Sequence, residues 1–347
     1  MRFYTLKVLD IRFETGDTVT VSFKQPGLKP IKYSAGQYLS LIFRINNRRY
    51  IRPYSFSSAP GVEKTLNITV KRVQGGVISN HIIDKLKIDD VVEVIEPMGD
   101  FILYDSEAKS EIYLWGAGSG ITPLISIAKY AVYNNRAARV RLTYGNRDYE
   151  NVIFKKEINE LEIAFKDVFS TQHFITKPFI SELNPNIVQG RITANEVRDI
   201  LNAGKNRLNN SLHYICGPVG LKESVKLVLA EYGISEGQIF SEDFEIIRDP
   251  KEFENIYTQY VSIKQNNKEP FTVEVIAGKS ILDAGLDSSL NLNYSCQTGS
   301  CLVCRARVLK GEVKMIGVKQ LSADLMPDEC LLCSSFPITD NVEIEVD

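Results

Sequence analysis

Four cysteines near the C-terminus stand in Cys296-Gln-Thr-Gly-Ser-Cys301-Leu-Val-Cys304 and, further on, Leu-Leu-Cys333-Ser-Ser-Phe-Pro. The C-x4-C-x2-C…C spacing is that of a plant-type 2Fe-2S cluster. Each iron takes thiolate ligands, and a tight loop containing Gly299 can wrap an inorganic core while its backbone N–H groups point at the sulfurs. Cys296, Cys301, Cys304 and Cys333 are therefore the expected metal ligands. A second reading pairs Cys330 and Cys333 as a C-x2-C unit that joins Cys301 and Cys304 in a zinc ribbon. The gap between those pairs exceeds the usual zinc-ribbon interval and strands Cys296, so the iron–sulfur reading is the stronger. Within it Cys333 is the better fourth ligand and Cys330 a packed strand residue, with the reverse assignment left open by sequence.

Three other segments carry phosphate or ring chemistry. Arg52-Pro53-Tyr54-Ser55-Phe-Ser57-Ser58 closes a strand-like run, and alternation places Arg52 and Tyr54 on one face, a guanidinium for a phosphate beside a ring for a flat heterocycle. Downstream, Gly75-Gly76-Val77-Ile-Ser79 is a glycine turn feeding a helix whose free N–H groups favour an anion. Gly116-Ala-Gly118-Ser-Gly120-Ile-Thr122-Pro123 follows a strand and opens a helix, the context a dinucleotide loop requires. Arg147 in Tyr144-Gly-Asn-Arg-Asp, and Cys216-Gly217-Pro218, end two later strands, where ligands bind in open α/β sheets. With three histidines in the chain, imidazole catalysis and a Rieske-type cluster are disfavoured, and His81 reads as an ordinary helix residue.

The elements that must position these groups change period along the chain. Residues 1–106 alternate in short runs such as Thr18-Val-Thr-Val-Ser-Phe and Leu66-Asn-Ile-Thr-Val between turn residues, which predicts a small antiparallel β-barrel. Residues 107–245 alternate strands (Glu111–Trp115, Val140–Tyr144, His213–Ile215, one near Ile239) with helices (Pro123–Tyr133, Phe154–Leu161, Leu221–Tyr232), which predicts a doubly wound parallel sheet. Residues 246–259 lack periodicity and carry Pro250, as a moderately flexible linker would. Residues 260–347 supply strands for a compact α+β domain around the cysteines.

At 347 residues, 44% hydrophobic and 24% charged, the composition is that of a globular protein of two or three domains. No apolar stretch is long enough for a membrane span, and the N-terminus lacks a signal-peptide core, which suits a cytoplasmic protein with reduced thiols. The net charge of −2 conceals a basic N-terminal and an acidic C-terminal module. A concentrated basic stripe is missing, so no nucleic-acid partner is expected.

In order, Arg-x-Tyr-Ser, Gly-Gly-x-x-Ser, Gly-x-Gly-x-Gly-Ile-Thr-Pro and Cys-Gly-Pro resemble the ferredoxin–NADP reductase superfamily across residues 1–245. The C-terminal plant-type ferredoxin module, of β-grasp form, is similar to that of bacterial oxygenase reductases. Tyr144-Gly-Asn-Arg and Cys304-Arg-Ala-Arg-Val-Leu-Lys-Gly-Glu-Val most resemble the reductase subunits of phenylacetyl-CoA epoxidases. The resemblance implies FAD, with Arg52 and Gly76–Ser79 at its pyrophosphate and Tyr54 and Ser55 at its isoalloxazine, and Pro53, Gly75 and Val77 are further cofactor-binding candidates. It implies NADPH or NADH at Gly116, Gly118, Gly120, Arg147, Gly217 and Pro218, with Thr122 and Cys216 near the nicotinamide. Tyr54, Ser55 and Cys216 are then the expected catalytic residues. Asp328-Glu-Cys-Leu-Leu-Cys333 departs from the Gly-Tyr-Val-Leu-Thr-Cys common in relatives. A nicotinamide gives up a hydride and a 2Fe-2S cluster takes one electron, so a flavin between them is needed. The expected partner is a terminal oxygenase; a desaturase, a hybrid-cluster protein or a globin-type dioxygenase is the rival acceptor, and a non-catalytic zinc or nucleotide-binding module the rival class.

Overall fold

The computed structural model describes residues 1–46, 48–104, 109–177, 186–204, 208, 210–246, 248–265, 269–318 and 322–346. The chain forms two compact units, one comprising Met1–Leu41 and Tyr54–Glu242, the other Ile42–Pro53 and Asp243–Asp347. The expected boundary at 106/107, linker residue 247 and the terminal Asp347 lie outside the described residues.

The first half of the chain contributes β1 (Phe3–Thr15), β2 (Thr18–Lys24), β3 (Tyr38–Ile45), β4 (Arg48–Ser55), β5 (Thr65–Lys71), α1 (Val77–Asp84) and β6 (Val91–Met98). Strand order is β4-β3-β6-β1-β2-β5. β1 pairs antiparallel with β2 and β6, and β2 with β5. Valine-rich alternation sends Val19, Val21, Phe23, Leu66, Ile68 and Val94 into the core. This is the antiparallel β module the alternation predicts.

The parallel sheet follows, with β7 (Ser110–Ala117), α2 (Ile121–Tyr133), β8 (Ala137–Asn146), α3 (Lys155–Ala164), β9 (Phe169–Ile175), β10 (Ile187–Gln189), α4 (Ala194–Ala203), β11 (Ser211–Cys216), α5 (Val219–Glu231) and β12 (Ile239–Glu242). Its order is β10-β9-β8-β7-β11-β12, with every pair parallel. The chain runs outward from β7 to β10, then returns to β7's other side as β11. That reversal puts the ends of β7 and β11 side by side, Gly116 opposite Cys216, and such a crevice is where ligands bind in these sheets. Leu124, Ile125 and Ala128 of α2 pack on Leu114, Val140 and Tyr144, while α4 and α5 place Val197, Leu201, Val225 and Leu229 against Trp115 on the other face. Helix α4 was not expected, although Thr193-Ala-Asn-Glu196 spells its capping box: the Thr193 N–H donates to Glu196 Oε2 at 3.0 Å.

The second unit carries β13 (Gln259–Gln265), β14 (Phe271–Val275), α6 (Ile281–Asp287), β15 (Arg305–Lys310), β16 (Val313–Met315), β17 (Glu329–Leu331), β18 (Ser335–Pro337) and β19 (Val342–Val346). Five strands run in the order β14-β13-β19-β15-β17, and β16 pairs with β18. The segment before β13 is better anchored than its composition implies. Phe253 meets the Phe336 ring edge-on at 5.1 Å, and Ile256 joins Ile316 and Phe336 in a small core.

Candidate functional site

The cysteine loop is shaped by left-handed backbone at Gln297, Gly299 and Leu302. Gly299 is required twice over. Its φ is +75°, and a Cβ there would lie 2.8 Å from Val318 Cγ2 and 3.1 Å from Ser334 Oγ. The resulting curl aims donors inward. Thr298 N–H donates to Cys296 Sγ at 3.3 Å, and Cys296 N–H to Cys301 Sγ at 3.5 Å.

All four thiols are free of disulfides, with Cys296 beside Cys301 and Cys304 beside Cys333. The hydrogen bond from Cys301 draws Cys296 down to about 4 and pushes Cys301 up. Two such neighbouring pairs would suit the two irons of a binuclear cluster. Among the described residues no three His, Cys, Asp or Glu side chains converge as a single ion requires. Cys330 lies in β17 opposite Ala306, fully buried, and burial pushes its thiol up to about 11. The donor set of Cys296, Cys301, Cys304 and Cys333 thus fits a binuclear cluster.

At the flavin segment, half-buried Arg52 donates from a guanidinium nitrogen to the Ile51 carbonyl at 2.8 Å, and half-buried Pro53 and Tyr54 follow it on β4. Ser55 is buried, with its hydroxyl directed at Glu242 Oε2 at 3.4 Å. Ser57 and Ser58 serve the antiparallel module instead. Ser57 accepts from Thr69 at 2.9 Å, and Ser58 shares a 2.8 Å bond with the Tyr33 phenol. The turn at Gly75 has φ +72°, and a Cβ on Gly76 would come within 2.7 Å of Ser79 Oγ, so the chain there is bare backbone ahead of α1. Buried Ser79 accepts the Val73 N–H at 3.1 Å, and α1 starts with no side-chain cap beside exposed Val77. An uncapped helix start behind a glycine cradle fits a phosphate.

At the nucleotide loop the glycines are dictated by close approach. A Cβ on Gly120 would lie 2.1 Å from the Cys216 carbonyl oxygen, and one on Gly116 2.7 Å from Leu124 Cδ1. Gly118 and Gly217 have φ of +55° and +156°. The Tyr144 phenol donates to the Gly118 carbonyl at 2.9 Å, and burial pushes its pKa upward. Thr122 donates to the Ser119 carbonyl at 3.0 Å. Cys216 is buried at the end of β11, and α5 begins after Pro218 without a side-chain cap. Gly116, Gly118, Gly120, Thr122, Cys216, Gly217 and Pro218 are therefore gathered at the switch point. Arg147 is exposed at the end of β8, while the neighbouring Asp148 is held by Lys177 at 3.1 Å and by Asn151.

Several neighbours of these sites escaped sequence reading. Glu242 closes β12 and reaches Ser55 from far along the chain. Arg72 braces the glycine turn, with bonds of 2.7 and 2.9 Å to Asp84 and 2.6 Å to Asn80. Arg248 donates to the Cys333 carbonyl at 2.9 Å and lies over the Phe336 ring. None belongs to a motif; only the Arg72–Asp84 pair, one helix length apart, offers any local signal.

Family models match in succession along the chain: the oxidoreductase FAD-binding domain over residues 5–103, the oxidoreductase NAD-binding domain over 114–226 and the 2Fe-2S iron-sulfur cluster binding domain over 264–337. The chain is 28% identical to a component of the 1,2-phenylacetyl-CoA epoxidase of Escherichia coli K12, covering 99% of this chain and 98% of that protein. It is 30% identical to the ferredoxin reductase component of 3-ketosteroid-9-alpha-monooxygenase from Rhodococcus rhodochrous, covering 96% and 93%. Phthalate dioxygenase reductase, a solved structure, shares the fold with a TM-score of 0.69 at 21% identity over 99% of this chain and 98% of its own. The chain thus belongs to the ferredoxin-reductase components of oxygenase systems, the branch of the ferredoxin–NADP reductase superfamily that joins FAD-binding, NAD-binding and 2Fe-2S domains in one polypeptide.

Proposed function

We propose that this protein oxidises NAD(P)H and delivers the electrons one at a time to a terminal oxygenase, with phenylacetyl-CoA epoxidase, the system one near-full-length relative is named for, as the candidate acceptor. The observation that carries this reading is the N–H-lined cysteine loop, on the same chain as a glycine crevice at a sheet switch point. Three modules divide the work: 1–106 for FAD, 107–245 for the nicotinamide and 260–347 for the cluster, with 246–259 joining the last two. FAD, when bound, accepts hydride and releases single electrons, which a 2Fe-2S cluster can carry.

The chain's own residues do the rest. Arg52 and the Gly75–Ser79 turn hold pyrophosphate oxygens by charge-assisted and backbone hydrogen bonds. Pro53 and Tyr54 set the strand and ring against the flavin. Ser55 places its hydroxyl at the reacting edge, and the Glu242 carboxylate behind it can take or return a proton through that hydroxyl. Gly116, Gly118, Gly120, Gly217 and Pro218 let the dinucleotide approach backbone, with Thr122 and Cys216 beside the nicotinamide. Arg147 favours NADPH over NADH by pairing with a 2′-phosphate, now that Asp148 is occupied by Lys177. We place the protein in the cytoplasm, where the cluster thiols stay reduced.

The test is the flavin itself. Heat-released flavin should be FAD, and Arg52→Ala should lower its occupancy without unfolding the protein, each charge-assisted bond lost being of order 1.5–3 kcal/mol. FMN alone, or full occupancy in the variant, contradicts the phosphate assignment.

A further inference from the structure

The second unit joins Ile42–Pro53 to Asp243–Asp347, so the end of β4 that leads into Arg52 and the cluster loop share one body. Strand β4 is the outermost strand of its sheet, and its outward backbone groups need partners. They find one in Tyr294. The Ile51 N–H donates to the Tyr294 hydroxyl at 2.9 Å, and that hydroxyl donates to the Arg49 carbonyl at 3.3 Å. Residues 49 and 51 point the same way along a strand, so one phenol satisfies both. Tyr294 is 1% exposed and stands two residues before Cys296. Two flanking contacts tie the same stretches: Arg48 to Asp287 at 2.6 Å and Arg49 to Asn291 at 3.1 Å.

We infer that Tyr294 is a positioning residue for electron transfer, clamping the cluster loop to the flavin-binding strand through the Ile51 N–H. The inference rests on the flavin reading of Arg52, the residue next to Ile51. The step it governs moves one electron and no atom: reduced flavin loses one equivalent, and one cluster iron goes from ferric to ferrous. A loop held by a buried hydroxyl keeps one geometry, whereas a loop released from it spends time in geometries with poorer electronic contact. Tyr294→Phe removes the hydroxyl, keeps the ring, and leaves the Ile51 N–H without its partner.

Two readouts test this. Amide exchange at Ile51, followed on the protein as isolated, should speed up about tenfold in Tyr294→Phe, the equivalent of ~1.4 kcal/mol of lost protection. Rapid-freeze EPR after flavin reduction should show the cluster signal growing about tenfold more slowly, while flavin content, iron and sulfide content and NAD(P)H:ferricyanide activity stay at wild-type values. Unchanged exchange, or faster exchange with unchanged cluster reduction, overturns the inference. Should Tyr294→Phe lose its cluster, Arg48→Glu decides: slow cluster reduction restored by adding Asp287→Arg supports the clamp, and a wild-type rate in Arg48→Glu overturns it. Failure of the Arg52 reading shows separately, as full flavin occupancy in Arg52→Ala.

Discussion

Single residues at the cluster and the nucleotide loop make the sharpest demands. Replacing Cys296, Cys301, Cys304 or Cys333 by Ser should abolish the reduced-state EPR signal and acid-labile sulfide, because the C-x4-C-x2-C…C set supplies all four thiolates the cluster needs. Cys330→Ser should keep both, since that thiol is buried in β17 opposite Ala306. Full sulfide in Cys333→Ser with loss in Cys330→Ser would reverse the ligand choice. Gly120→Ala sets a methyl 2.1 Å from a backbone oxygen. It should destabilise the protein by about 1–3 kcal/mol in denaturant titration, as overpacking does, and raise KM for the nicotinamide. The cysteine and glycine motifs stand out in sequence because a cluster loop and a dinucleotide loop need fixed spacing. Glu242 and Arg248 do not, because folding alone brings them to Ser55 and Cys333.

At the scale of elements, alternation and the change to helical period read correctly for the β module and for α2, α3 and α5. Short β10 and polar α4 had too little apolar pattern to stand out. Nor does periodicity foretell Lys129, a buried cation in α2 held by Glu63 and by Glu157 at 2.9 Å. The parallel sheet also carries a pH-sensitive brace. His213 of β11 is buried against the Tyr113 ring, takes the Trp115 indole N–H at 3.3 Å and shares a 2.9 Å bond with Ser211. Burial pushes its pKa down to about 3 from an ordinary 6.5. The folded state therefore binds this proton less well than the unfolded chain. The stabilising effect is complete above pH 6.5 and is lost progressively as the pH falls from there toward 3. Melting temperature should fall between pH 7 and 5, and His213→Gln should flatten that fall. An equally steep fall in the variant would assign the sensitivity to other groups, His173 first, which burial lowers to about 4.

At the scale of the whole molecule, function requires a two-electron donor to be matched to a one-electron carrier, which explains why FAD, nucleotide and cluster domains occur on one chain. Partner and coenzyme choice belong to this scale. Arg147→Ala should lower kcat/KM for NADPH selectively, measured with ferricyanide, and leave NADH nearly unchanged; equal losses would reduce Arg147 to a loop residue. The central claim is that electrons from NAD(P)H reach the cluster through the flavin. Its most direct measurement is an anaerobic NAD(P)H titration of the purified protein, followed by absorbance and EPR in wild type, Arg52→Ala and Cys333→Ser. Wild type should bleach its flavin and develop a reduced 2Fe-2S signal. Cys333→Ser should bleach its flavin and reduce ferricyanide but show no such signal, and the signal in Arg52→Ala should fall in proportion to flavin. A cluster signal that persists in flavin-depleted protein, or bound zinc without sulfide in the wild type, would contradict the account.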